Sequence, residues 1–193
     1  MSKNESYFSG EKYNLKAKKL GYRSRAAFKL IDINKKENIL RKNLNIIDLG
    51  SAPGGWSQVV SKELNGTGSI IAIDILDMPK IKDVKFIKSD LREFDQNKLN
   101  QPIDVVISDI APNISGVRFI DDTNMIDLLE IELSIVDKTL VKGGNFLAKC
   151  FEGGSSEFLR KEINKRFKIM KRLKPDSSRK ISKEIYLLGL NKN

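Results

Sequence analysis

Asn45-Ile46-Ile47-Asp48-Leu49-Gly50-Ser51-Ala52-Pro53-Gly54-Gly55-Trp56 is the stretch whose reading decides the fold. Its opening apolar residues read as a short buried strand. A glycine-rich turn follows, and Trp56-Ser57-Gln58-Val59-Val60 starts a helix. Strand, glycine-rich turn and helix together present backbone N–H groups to a ligand at the carboxyl edge of an α/β sheet. The spacing G-x-x-x-G-G is neither the dinucleotide fingerprint G-x-G-x-x-G nor a P-loop, because no Gly-Lys-Ser/Thr follows. Pro53 removes one donor and stiffens the turn. Asp48 stands at the strand end, where it suits a cationic or hydroxyl-bearing ligand such as S-adenosylmethionine better than a pyrophosphate. Asp48, Gly50, Pro53, Gly54, Gly55 and Trp56 are therefore candidate cofactor residues. An ordinary βα turn would share the pattern, so the turn alone does not choose between the two.

Working outward, the same design repeats. Ser69 to Ile75 reads as a second buried strand carrying Asp74, 24 residues after Gly50. An acid about 20 residues past a glycine turn binds ribose hydroxyls in nucleotide-type folds. Val84 to Asp90 alternates and ends in Asp90, and Ile103 to Asp109 ends in Asp109. Four strand-terminal acids in succession predict a parallel sheet with one ligand-binding edge. Asp121 to Val141 reads as a long helix closed by Lys142-Gly143-Gly144. Asn145 to Phe151 is a fifth strand with Lys149 inside an apolar run, where a charge is costly unless paired. A helix over 156–167 and an antiparallel pair, Lys168 to Lys174 with Ser182 to Leu190, complete the chain. Glu184 stands near the start of the last strand.

The N-terminal residues 1–10 read as a frayed tail. The helical pattern then runs from Tyr13 to Leu40, broken at Gly21, with Lys29 inside a helix starting near Ser24. The division expected is a single domain over 1–193, with a basic helical extension to about residue 40 and a core over about 44–190.

Charge is segregated. The chain has a net charge of +10, yet residues 1–42 hold 12 Lys and Arg against 4 Asp and Glu, and residues 160–193 hold 12 against 3. The middle holds 11 against 18. A lysine-rich composition would spread evenly; two basic ends around an acidic middle point to a polyanion, most simply nucleic acid. There is no histidine and one cysteine, Cys150. These exclude histidine-dependent triads, histidine-ligated metals and an internal disulfide, so no metal is expected and proton transfer falls to Lys, Asp, Glu, Tyr or water. No apolar run reaches a membrane span and no leader is evident, so a membrane-free protein is expected; the single cysteine fits a reducing, cytoplasmic setting, and a monomer is expected.

Taken together, Asp48 to Gln58, Ser108-Asp109-Ile110-Ala111-Pro112-Asn113, Lys174-Pro175-Asp176-Ser177-Ser178-Arg179 and Arg23-Ser24-Arg25-Ala26-Ala27-Phe28-Lys29-Leu30 resemble the FtsJ/RrmJ family of RNA ribose 2′-O-methyltransferases. The likeness runs from about Tyr13 to Leu190. It implies a Rossmann-like class I methyltransferase, an α/β fold whose seven-stranded, mostly parallel sheet has its last strand antiparallel and helices on both faces. It implies S-adenosyl-L-methionine as cofactor, with contacts at Gly54, Trp56, Asp74, Asp90 and Asp109. The family's Lys-Asp-Lys-Glu tetrad falls on Lys29, Asp109, Lys149 and Glu184. The implied substrate is RNA, with a uridine of large-subunit (23S) ribosomal RNA in the ribosomal subunit favoured by the compact length and the Lys-Pro-Asp-Ser-Ser-Arg linker. Relatives acting on tRNA anticodon loops share the tetrad, and a non-catalytic RNA-binding assembly factor is a further alternative. Ser51 departs from the alanine expected there. RNA contact is assigned to Lys12, Lys16, Lys18, Lys19, Arg23, Arg25, Arg179 and Lys180.

Overall fold

The computed structural model describes residues 3–99, 101–179 and 181–193. Helices α1 (Lys3–Lys19) and α2 (Ala26–Glu37) precede strand β1 (Asn45–Leu49) and helix α3 (Gly55–Leu64). Then come β2 (Ser69–Asp74), β3 (Val84–Lys88), β4 (Ile103–Ser108), α4 (Arg118–Thr139), β5 (Leu140–Phe151), α5 (Gly154–Arg166), β6 (Phe167–Leu173) and β7 (Glu184–Lys192). The seven strands form one sheet in the order β3-β2-β1-β4-β5-β7-β6. β1 pairs in parallel with both β2 and β4, and β7 is antiparallel to both β5 and β6.

Side-chain alternation explains why both faces are covered. Ile46, Ile70, Val105, Ile107 and Leu147 point to one face, where they pack with Ala27, Leu30 and Ile33 of α2 and Val59, Val60 and Leu64 of α3. Ile47, Ile71, Val106, Phe146 and Ala148 point to the other, against Met125, Leu129, Leu133 and Val136 of α4 and Leu159 and Ile163 of α5. Strands buried on both faces read as continuous apolar runs because neither parity meets water.

Two expectations are corrected. Residues 3–10 are helical rather than a frayed tail. The C-terminal half of α1 docks on α2, with Tyr13 and Phe28 ring centroids 5.4 Å apart, Lys16 Nζ 4.9 Å from the Phe28 ring and Ala17 buried. Once that half is fixed, each further helical residue adds a hydrogen bond without a new nucleation cost. Lys142-Gly143-Gly144 does not close α4. The chain is already extended at Leu140, whose N–H caps onto Val136 O and whose side chain enters the core. The lysine and glycines instead lie in a register shift of β5, where Ile103 faces Leu140 but Val105 faces Asn145. α4 also begins at Arg118, three residues early, because the Asp121 carboxylate braces the entry by accepting from Ser115 N and Oγ and Gly116 N.

Candidate active site

β1 is where the strand order reverses direction, with β2 on one side and β4 on the other. Open α/β sheets bind ligands at such a point, beyond the carboxyl ends of the strands. A cleft of about 540 Å³ lies there, lined by Gly50 after β1, Asp74 at the end of β2, Asp90 after β3 and Asp109 after β4. Gly50 has φ +67, and a Cβ there would stand 2.8 Å from Ile110 Cβ. A side chain would therefore strain the backbone and close the cleft wall. Asp74 ties two loops together: Oδ2 accepts from Ala52 N and Oδ1 from Leu76 N, each at 2.8 Å. Asp90 Oδ1 likewise accepts from Arg92 N at 2.8 Å.

The donor set fits S-adenosylmethionine. Asp74, Asp90, Asp109 and Asp127 face the cleft against Arg92 alone, with Ile75, Leu91, Ile110, Leu128 and Ile131 as apolar wall. Carboxylates and apolar surface suit ribose hydroxyls, an adenine face and a sulfonium cation, and would repel a pyrophosphate. Ser51 Oγ, between the lining residues Gly50 and Ala52, is buried and has no hydrogen-bond partner among the described residues.

The four residues of the tetrad come from four elements and meet at one edge of this cleft. Lys29, on α2, is buried and donates to Glu184 Oε2 at 2.9 Å; its Nζ lies 3.9 Å from Asp109 Oδ1. Lys149, on β5, is equally buried and lies 3.2 Å from that same oxygen, while it donates to Asp109 O at 2.5 Å. Two buried cations are balanced by two partly exposed carboxylates, which is how buried charges are tolerated. Burial works to raise the Glu184 carboxyl, but the charge and hydrogen bond of Lys29, with Lys149 behind, outweigh it and hold it below the ordinary value.

The remaining candidates divide. Asp48, Pro53, Gly54, Gly55 and Trp56 do not line the cleft. Asp48 is buried and accepts from Ser57 Oγ at 2.6 Å, and burial raises its carboxyl to about 7. Trp56 is buried and donates to Ala26 O at 2.9 Å. Gly54 and Gly55 are tightly packed: a Cβ on Gly54 would meet Ile81 Cδ1 at 2.7 Å and Arg23 Nη1 at 2.9 Å, and one on Gly55 would meet Ser24 Oγ at 2.3 Å. At Gly55 the missing side chain lets the start of α2 approach, and α2 carries Lys29.

Among the basic residues, Lys12, Lys16, Lys18 and Lys19 are exposed on α1. Arg23 is committed internally: its guanidinium donates to Pro53 O, Pro79 O and Lys80 O at 3.2, 2.6 and 2.9 Å. Arg25 has Nη1 buried without a hydrogen-bond partner. Burial lowers the pKa of Arg25, as does the charge of nearby Arg179. Lys180 lies outside the described residues.

Two residues escaped the sequence reading. Tyr186 is fully buried, its hydroxyl donates to Asp109 Oδ1 at 2.6 Å, and its ring lies 5.7 Å from Lys29 Nζ. The signal was its spacing, two residues after Glu184 on one strand and hence on the same face. Glu132 is buried on α4, where its Oε1 accepts from Ser108 Oγ at 2.7 Å. Its signal was an acid at an apolar position, seven residues after Met125 and four before Val136.

Comparison with known proteins agrees with this geometry. The model of the FtsJ-like methyltransferase family matches residues 22–192. A protein of Nitrosospira multiformis named ribosomal RNA large subunit methyltransferase E is 45% identical over 183 residues, covering 91% of this chain and 88% of its own. One of the same name from Pseudomonas fluorescens is 43% identical, covering 92% and 88%. A crystal structure described as a ribosomal RNA methyltransferase from Plasmodium falciparum superposes with a TM-score of 0.80 at 29% identity, covering 89% of this chain and 98% of that one. Fibrillarin of Aeropyrum pernix, solved with natively bound S-adenosyl-L-methionine, shares the fold at a TM-score of 0.61 and 18% identity, covering 88% and 75%. This chain belongs to the FtsJ-like methyltransferase family and is an S-adenosylmethionine-dependent methyltransferase.

Proposed function

We propose that the protein methylates a ribose 2′-hydroxyl in large-subunit ribosomal RNA, the acceptor being a uridine. The observation that carries this reading is the tetrad: Lys29, Asp109, Lys149 and Glu184 linked through contacts of 2.9, 3.9 and 3.2 Å at the cleft edge. The large-subunit RNA named for the Nitrosospira and Pseudomonas relatives supports the substrate.

When bound, S-adenosylmethionine supplies an electrophilic methyl group on a positively charged sulfur. Asp74 and Asp90 hold hydroxyl groups of the cofactor, and Gly50 leaves room for it. Lys149 takes the proton of the 2′-hydroxyl as the oxygen attacks. Lys29, held by Glu184, places a fixed positive charge where the oxygen becomes negative. Asp109 fixes both lysines through one oxygen, so positioning contributes as much as proton transfer. Arg25, Arg179 and the exposed lysines of α1 hold RNA phosphates.

No described helix is long and apolar enough to cross a membrane. The reaction is assigned to the cytoplasm, where ribosomal subunits are assembled.

The test is methyl transfer from radiolabelled S-adenosylmethionine to ribosomal subunits and total tRNA from cells lacking this gene, with the modified nucleotide mapped. One 2′-O-methylated uridine in large-subunit RNA is expected. Label confined to tRNA anticodon loops, or tight cofactor binding with no transfer to any RNA, would overturn the reading.

A further inference from the structure

A second cleft opens on the far side of the tetrad. It has a volume of about 310 Å³ and is bounded by Ile114, Phe151, Ser182 and Glu184. The segment after β4 runs between the two clefts: residues 109–113 line the cofactor cleft, and Ile114 and Gly116 line the second. The tetrad bridges them. Asp109 faces the first cleft and Glu184 the second, and Lys29 Nζ touches both carboxylates, at 3.9 and 2.9 Å. We infer that this second cleft receives the nucleobase of the RNA nucleotide whose ribose is methylated, an inference that rests on the ribose-methylation reading above.

Stereochemistry argues for it first. In-line transfer puts the attacking oxygen between the cofactor methyl and the rest of the acceptor. The base is attached to the carbon next to the one bearing the 2′-hydroxyl. It must therefore sit within a few bonds of the tetrad, on the side away from the cofactor. The second cleft begins at that place, with Glu184.

Its chemistry also accommodates a base. The acids around it are already compensated. Asp121 accepts three hydrogen bonds from Ser115 and Gly116, Asp122 lies 3.8 Å from Arg118 Nε, and Glu152 pairs with Arg172. The exposed Lys183 also stands in the lining. Apolar surface is offered by Ile114, 60% exposed, and by half-buried Phe151, both in the lining. Beyond the cleft Val117 and Phe119 follow in the chain, 53% and 80% exposed. Single-stranded RNA is recognised by splaying bases onto apolar and aromatic surface of this kind, with phosphates held elsewhere by cations.

The test uses the full chain with Ile114→Glu, a change at an exposed position outside the tetrad and the cofactor cleft. It should lower kcat/KM for the RNA by about tenfold or more, as for loss of one base contact. Melting temperature, cofactor affinity and the salt dependence of RNA binding should stay as in wild type, because no core residue, cofactor contact or phosphate contact is touched. Independently, unmethylated large-subunit RNA carrying 4-thiouridine, irradiated with the enzyme and S-adenosylhomocysteine, should cross-link to the peptides of residues 114–119 or 151–152. Wild-type kcat/KM in Ile114→Glu, or cross-links confined to α1, would overturn the inference and leave ribose methylation standing. Failure of the wild-type protein to methylate any RNA would instead overturn the reading on which it rests.

Discussion

The Tyr186 hydroxyl donates to Asp109 Oδ1 at 2.6 Å, the same oxygen that lies 3.2 Å from Lys149 Nζ. Burial and the Asp109 charge push the phenol well above its ordinary pKa, so it stays a donor at every working pH. Tyr186 thus holds the carboxylate against which both lysines are placed. Tyr186→Phe should cost about 1.5–3 kcal/mol of stability, the range for a hydrogen bond to a charged group. Turnover should fall by less than tenfold, because Lys149 still grips Asp109. Chemical denaturation and single-turnover methyl transfer together check this. A loss of activity as deep as that of Asp109→Asn would mean the hydroxyl itself takes part in the reaction.

Asp74 both lines the cofactor cleft and braces Ala52 N and Leu76 N. Asp74→Ala should weaken S-adenosylmethionine binding by about 1.5–3 kcal/mol. It should also loosen the 50–52 and 75–76 loops, seen as faster amide exchange at Ala52 and Leu76. Calorimetric titration giving wild-type affinity would remove Asp74 from the cofactor site.

Much of this is legible in the sequence, for identifiable reasons. Doubly apolar pairs such as Ile46-Ile47, Ile70-Ile71 and Val105-Val106 announce strands covered on both faces, and their terminal acids announce the binding edge. The tetrad was legible only through family resemblance. Lys29 and Glu184 are 155 positions apart, and no spacing rule predicts that α2 and β7 meet. The turn Gly54-Gly55 is ambiguous, because a glycine that admits a ligand and one that admits a packed neighbour look alike in sequence. Tyr186 and Glu132 were hidden by their neighbours, each one polar group inside an apolar pattern that reads as core.

Arg25 carries a cost in the free protein: a buried Nη1 without a partner, and Arg179 close enough to depress its pKa. An anionic ligand would relieve both. Arg25→Met should therefore leave stability unchanged or slightly raised. It should weaken RNA binding and reduce the slope of log affinity against log salt by about 1. Thermal melts and RNA binding at three or more salt concentrations check the pair of outcomes. A clear loss of stability with unchanged RNA affinity would make Arg25 a packing residue.

Glu132 and Asp48 set a pH dependence. Burial is the main cause that raises Glu132 from 4.5 to about 8 and Asp48 from 3.8 to about 7. Between each pair of values the folded state holds a proton that the unfolded chain has released. Stability is then greatest below the lower value and falls as pH rises to the upper one. Glu132→Gln, fixed in the neutral form, should gain in melting temperature relative to wild type from about pH 4.5 upward, levelling off above about pH 8. Near pH 6 its methyl transfer should be close to wild type, since the carboxyl is already neutral. A constant melting difference across the whole range would show that Glu132 is ionised in the folded protein.

Lys149 carries the chemical proposal. It is buried at the end of β5 and uses its Nζ on Asp109 O at 2.5 Å and Asp109 Oδ1 at 3.2 Å. Lys149→Met keeps most of the stem volume and leaves Asp109 held by Tyr186 and within 3.9 Å of Lys29. Fold and cofactor affinity should therefore be nearly intact, while methyl transfer falls by ~10²-fold or more, as for loss of an acid–base group. Lys149→Arg should not rescue it. The guanidinium is larger than the space around a buried ammonium, and it cannot release its proton. The pH profile separates the two possible roles. If Lys149 must be neutral to act, the wild-type rate of methyl transfer on saturating RNA rises with pH before it levels, and the residual rate of Lys149→Met lacks that rise. Near-normal turnover in Lys149→Arg, with the same pH profile as wild type, would show that the residue orients the hydroxyl by its charge and that the proton leaves by another route.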